Sequence, residues 1–175
     1  KIENLKEYCK KNKIQSVGLS DTYNLSGALE FSENISSVGT QPIIGSQVQF
    51  KFKNTYGLIP LIAKNYNGYK NIIELSSKAY LENTDNDQPH CSIEDLTKYS
   101  DGIIVLSGAI NNLVGNMFNK GLFEELDELI TILNNNFKEN FYLEIQRHGD
   151  KNEKEFEFFN LNVSKKYQIP IIATN

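Results

Sequence analysis

Short apolar runs alternate along this chain with stretches of helical periodicity, and that alternation narrows the possible folds more than any other feature. Ile2, Leu5, Tyr8 and Cys9 recur at helical spacing ahead of the apolar run Ser16-Val17-Gly18-Leu19. Leu25, Ala28, Leu29, Phe31 and Ile35 trace a second helix, stopped by Gly39 and Pro42, and Pro42-Ile43-Ile44-Gly45 starts another strand. From Val48 the period becomes two, with Val48, Phe50 and Phe52 on one face. Asn54-Thr55-Tyr56-Gly57 then turns the chain into a second strand over 58–62, a hairpin-like pair. Asn67 is the expected cap of a helix with Tyr69, Ile72, Ile73, Ser76, Ala79 and Tyr80 on its apolar face. Residues 82–88 are an expected exposed acidic loop, and Ser92-Ile93-Glu94-Asp95 has capping-box spacing.

The second half repeats the pattern. Ile103-Ile104-Val105-Leu106 is a buried strand, Asn111-Asn112 a polar loop, and Leu122, Phe123, Leu126, Leu129, Ile130 and Leu133 a helix face. The run Phe141-Tyr142-Leu143-Glu144-Ile145 is the next strand; Phe156, Phe159, Val163 and Tyr167 mark a helix, and 169–173 the last strand. Helix and apolar strand in alternation imply a mainly parallel sheet covered by helices, closed or open. In such sheets loops at the carboxyl ends of the strands form the active face. Asp21, Thr22, Ser46, Gln47, Ser107, His148 and Asn175 fall at those ends.

Composition removes several classes of function. At 175 residues one domain is expected, and a net charge of −4 gives no broad attraction for nucleic acid. Lys10, Lys11 and Lys13 read as a solvated helix end, and Lys51 and Lys53 as a charged strand edge. The apolar runs are too short to cross a bilayer, so a soluble chain with no membrane partner is expected. Cys9 and Cys91 do not form a Cys-x-x-Cys pair, Cys9 falls on a helix's apolar face, and no signal peptide is recognisable. A cytoplasmic protein with reduced thiols follows as the expectation. The chain opens on a helix and stops within a strand, as an excerpt of a longer polypeptide would.

Taken singly, the candidate residues are weak signals. A lone loop histidine such as His148 is more often a surface or hydrogen-bonded group than a metal ligand. A carboxylate after a strand and before a helix, such as Asp21, commonly caps the helix.

Taken in order, the segments Ser20-Asp21-Thr22-Tyr23-Asn24-Leu25, Pro42-Ile43-Ile44-Gly45-Ser46-Gln47-Val48, 63–71, Leu106-Ser107-Gly108 and 142–149 resemble the PHP (polymerase and histidinol phosphatase) domain. The likeness covers essentially the whole chain, 1–175, and is strongest to the N-terminal PHP domain of bacterial replicative polymerases. It implies a distorted (β/α)7 barrel, incomplete at both ends here, whose strand ends hold up to three metal ions in active members, where the ions activate water against a phosphoester. Where the family reads Asp-His, this chain has Asp21-Thr22. Gly-Cys-Glu becomes Gly45-Ser46-Gln47, and Ser-Gly-Cys becomes Ser107-Gly108-Ala109. Among the internal ligand positions implied by the resemblance, His148 alone retains a ligand.

Losing a partner behind a metal ligand costs about 10–100-fold in affinity or activity, so three lost ligands multiply to roughly 10³ or more. The family's His-x-His and Asp-x-His motifs would fall outside the sequence and could not restore a full cluster. No metal and no cofactor are therefore expected in this domain, the parent polymerase using Mg for nucleotidyl transfer. The resemblance implies a non-catalytic module, with Asp21, Thr22, Gln47, Ala109 and His148 as vestigial positions. Its implied partners are the proofreading exonuclease subunit, the remaining domains of the polymerase, other replisome subunits and, through the parent protein, DNA. Tyr23, Tyr66 and Phe118 are candidates for the docking surface, core packing being the commoner fate of such residues. The alternative is an active metal-dependent phosphoesterase or 3′–5′ exonuclease.

Overall fold

A computed structural model describes residues 1–82 and 88–174. Helix α1 (Ile2–Asn12) leads into β1 (Ser16–Thr22), α2 (Ala28–Ser36), the long β2 (Gln41–Phe52) and β3 (Thr55–Ala63). Then come α3 (Tyr66–Leu81), β4 (Cys91–Ser92), α4 (Ile93–Lys98), β5 (Ile103–Leu106), α5 (Leu113–Asn119), α6 (Phe123–Phe137), β6 (Phe141–Ile145), α7 (Glu153–Tyr167) and β7 (Ile171–Ala173).

The strands order as β1-β2-β3-β5-β6-β7, with β4 beside β2. β3 runs against both neighbours, and every other pairing is parallel. All strands but β3 therefore point the same way, which brings the ends of β1, β5, β6 and β7 to one rim. One cavity is lined both by Ser20 of β1 and by Thr174, next to β7, residues from opposite edges of the sheet. The sheet is curled, a half-barrel, which settles between the closed and open forms that the α/β alternation of the sequence allows.

The core follows from the periodicities. Val48, Phe50 and Phe52 of β2, Ile72 and Leu75 of α3, Leu126, Leu129, Ile130 and Leu133 of α6, and Phe156 and Val163 of α7 form one buried cluster. Cys9, Phe31 and Ile35 seat α1 and α2 in a second, smaller cluster. Cys91 is buried and its thiol donates to the Leu75 carbonyl, 3.2 Å away; burial pushes that thiol up to about 12.

Several local expectations are corrected. The two apolar runs of residues 42–52 form one twelve-residue strand, because Gly45 lies against β3, where a Cβ would meet the Leu61 carbonyl oxygen at 2.4 Å. Asn65, not Asn67, caps α3, its side chain accepting the Gly68 amide at 3.0 Å, while Asn67 reaches Asp101 instead. The loop after Asn112 holds an unforeseen helix, α5. Tyr8 is 58% exposed, so it leaves the apolar face assigned to α1. The capping box at Ser92 and Asp95 is present. Most of the acidic loop expected at 82–88 lies outside the described residues, as does Asn175. Lys53 pairs with Glu128, and Lys51 sits over the Tyr56 ring. No helix among the described residues is long and apolar enough to cross a membrane.

Candidate functional site

The concave face of the sheet encloses a cavity of about 690 Å³. Gln47 of β2, Pro60 and Ile62 of β3, Leu106 and Ala109 at the end of β5, and Glu144, Gln146 and His148 on and after β6 line it. Strand alternation turns Glu144 to this face, and the segment that follows β6 carries Gln146 and His148 along it. Gln47, Ala109 and His148 thus share the cavity. Asp21 and Thr22 are not among its lining residues.

Asp21 instead accepts the main-chain amide of Gly27 at 3.0 Å, and Gly27 is the cap residue of α2. Asp21 thus anchors the residue that begins α2 without being its cap, since no side chain caps that helix. A side chain at residue 27 would collide with that carboxylate, its Cβ 2.8 Å from Asp21 Oδ2. Thr22 is exposed and opposite Gln47 in the β1–β2 ladder. Ser46 is fully buried, with Oγ 3.0 Å from the carbonyls of both Asp21 and Asn24, so it holds the loop after β1 against β2. Tyr23 occupies a left-handed conformation (φ 66°), with its hydroxyl donating to Gln49 at 2.6 Å.

Ser107 is buried behind the rim, where its Oγ accepts the Glu144 amide at 2.8 Å and ties β5 to β6. Gly108 has φ +81°, and a Cβ there would meet Asn112 at 2.5 Å. Glu144 carries the polar centre of the cavity. Its Oε1 accepts from Gln146 Nε2 (2.8 Å) and from the Thr174 hydroxyl, and Gln146 Nε2 also reaches Thr174 at 2.9 Å. Glu144 Oε2 is buried without a hydrogen-bond partner among the described residues.

His148 is exposed at the rim, with Nε2 3.1 Å from Gln146 Oε1. Its turn is held by Glu153, whose carboxylate accepts the amides of His148 (2.8 Å) and Gly149 (3.0 Å). These two amides hold the Glu153 carboxyl below the usual glutamate range. A depressed carboxylate contributes stability that is complete above its ordinary value of 4.5 and is lost as pH falls through the lowered one. On acidification the His148 and Gly149 amides should lose protection from hydrogen exchange before the core does. Equal protection in Glu153→Gln across that range would disprove the clamp. Arg147 beside it makes a two-point pair with Glu157, at 3.0 and 2.7 Å.

His148→Ala should change stability by no more than about 0.5 kcal/mol, because an exposed ring with one side-chain contact has little to lose. Chemical denaturation measures this, and a cost above about 2 kcal/mol would mean the ring holds the rim together. The residues that sequence reasoning passed over are Glu144, Asp150 and Thr174. Glu144 did carry a signal: it is the one charged residue in an otherwise apolar strand run, two and four residues before Gln146 and His148. Among the described residues, no three His, Cys, Asp or Glu side chains are grouped so as to hold a metal ion.

A curled, mostly parallel sheet with a cavity on its inner face that reaches the carboxyl ends of β5 and β6 defines an α/β half-barrel of the kind that hosts chemistry at its rim. The chain belongs to the PHP domain family, which it matches over residues 1–148. It is similar to the DNA polymerase III subunit alpha of Haemophilus influenzae, at 33% identity over 100% of this chain and 15% of that protein. Similarity to the same subunit from Borreliella burgdorferi is 34% over 100% of the chain and 16% of that protein, and from Vibrio cholerae 34% over 93% and 14%. The chain therefore spans about 15% of the length of these curated relatives. In fold it is similar to a Bifidobacterium adolescentis protein described as a metal-dependent phosphoesterase, with TM-score 0.62, 11% identity, and coverage of 98% of this chain and 80% of that one.

Proposed function

We propose that this chain is the PHP domain of a DNA polymerase III alpha subunit and that it is non-catalytic, serving as a structural module and docking site for the proofreading exonuclease subunit. The observation that carries the reading is the make-up of the cavity. Gln47 and Ala109 stand on its wall where the family resemblance implies ionisable ligands, and Asp21 is engaged with Gly27. A multi-ion centre needs several anionic or imidazole donors converging on the same point, and a neutral amide and a methyl group do not supply them. The PHP metals do not fit this donor set, so no phosphoester chemistry is derived from it.

In this reading Asp21, Thr22, Gln47, Ala109 and His148 are vestigial. Nucleotidyl transfer and its Mg belong to the rest of the parent polypeptide, which works in the cytoplasm with the other replisome subunits and DNA. Exposed aromatic side chains support the docking role. Tyr66 is 72% and Phe158 66% exposed, and exposed apolar groups of that size are common at protein contacts. The expectation that Tyr66 packs in the core is thereby corrected, whereas Tyr23 and Phe118 are half-buried.

Two measurements on the full-length polypeptide test the proposal. Elemental analysis after purification should find less than one tightly bound zinc or manganese per chain; two or three would establish the phosphoesterase or exonuclease alternative. Co-purification should recover the cognate exonuclease subunit, and failure to do so removes the docking role.

A further inference from the structure

The lining of the cavity has a charge pattern that goes beyond the loss of metal ligands. Glu144 and Asp150 bring two carboxylates to it, and no lysine or arginine is among its lining residues. Glu144 is only 4% exposed, and its Oε2 has no partner among the described residues although Oε1 has two. A buried carboxylate oxygen without a donor is costly, and the cost is relieved by a positive group that supplies N–H bonds. Gln47, Asn111 and Asn112 add neutral amides around it. The volume of about 690 Å³ is far more than one ion fills and lies within the range of small-ligand pockets. An anionic phosphoester would meet two carboxylates and neither a lysine nor an arginine among the described lining residues.

We propose that the concave cavity binds an organic cation, a guanidinium or ammonium group, with Glu144 as its charged acceptor and Asp150 as a second anion at the mouth. The inference rests on the reading that the cavity holds no metal cluster. The ligand class of the cleft is then inverted, from an anionic ester held through metal ions to a cation held directly by carboxylate. Free amines and guanidines and the side chain of a partner protein share this chemistry.

The test is a titration of the full chain, followed by NMR of the Gln146 side-chain amide and the His148 ring, with methylguanidinium, methylammonium, inorganic phosphate and Mn²⁺ as separate probes at matched ionic strength. One of the organic cations should give saturable shifts at both residues, weakened at least about tenfold in Glu144→Gln and less in Asp150→Asn, with phosphate giving none. Glu144→Gln keeps the shape of the side chain, and its thermal midpoint shows whether it folds; if it does not, Asp150→Asn alone must weaken binding. Absence of saturable shifts with either cation, or shifts unchanged in both variants, overturns the proposal. Tight Mn²⁺ binding that bleaches His148 overturns the metal-free reading on which it rests, so the two failures are distinguishable. An arginine- or lysine-bearing peptide that competes with the small cation assigns the site to a protein side chain, and polyamine competition without peptide competition assigns it to a free amine. Both results support a cation site.

Discussion

Replacing Gly68 by alanine should destabilise the protein by about 3 kcal/mol, the upper end of what overpacking a tight site costs. A Cβ on residue 68 would sit 1.8 Å from the Gly102 carbonyl oxygen and 2.5 Å from its carbon. Both are backbone atoms, so no side chain can swing away. The obstruction is reciprocal, since a Cβ on Gly102 would meet Asn65 Oδ1 at 2.3 Å and the Gly68 nitrogen at 2.6 Å. Gly102 has φ +70°, and its carbonyl already accepts the Lys64 amide at 2.9 Å. The first turn of α3 and the turn before β5 are therefore locked together, and β5 leads directly to Ser107 at the rim. Urea denaturation should show a lower midpoint with an unchanged slope. Gly39→Ala is the contrast, because Gly39 has a positive φ (+79°), which the helical Gly68 does not, and faces open space, so it reports only a left-handed strain of about 1–2 kcal/mol. Equal losses at the two sites would show that α3 does not press on the 102 turn.

Phe141→Ala is expected to cost about 3–5 kcal/mol, the usual range for truncating a fully buried aromatic ring. Phe141 is 0% exposed and pairs with Val105 where β6 joins β5. Its loss should be felt at the cavity, because Glu144, Gln146 and His148 all depend on the position of β6. A lowered urea midpoint together with altered NMR signals from Gln146 and His148 is the expected result. A loss below about 1 kcal/mol would mean the ring's space collapses without cost, contrary to its placement in the main core.

Most elements were legible because periodicity survives without knowledge of neighbours. The helical spacing of Leu126, Leu129, Ile130 and Leu133 marks α6, and the unbroken run 103–106 marks β5, and those residues are buried, apart from half-buried Ile104. The site was partly legible. His148 and Gln47 were both picked out as strand-end residues and both line the cavity, although Gln47 lies in the middle of β2. Thr22 was placed there by the same logic but is exposed, because the end of β1 projects past the cavity and its loop turns back through Ser46 and Gly27. Glu144 was read as part of an apolar strand, and only its meeting with Thr174, thirty residues on, shows it to be the polar centre. Asn67 and Asn65 are equally good caps in sequence; which one serves depended on where Gly102 sits.

From the chain alone came what local pattern encodes: an α/β alternation, a core of aliphatic and phenyl groups, two isolated cysteines, and a family resemblance carried by segments in order. The tertiary structure alone decided that β3 runs against its neighbours, that the sheet curls until β1 and the segment after β7 face one cavity, and that Glu144 lies buried there with one oxygen unpaired among the described residues. The physical reason is that side-chain period depends only on residues two to four apart, whereas pairing direction, curvature and the environment of a charge depend on groups distant in sequence that meet only after the chain has packed.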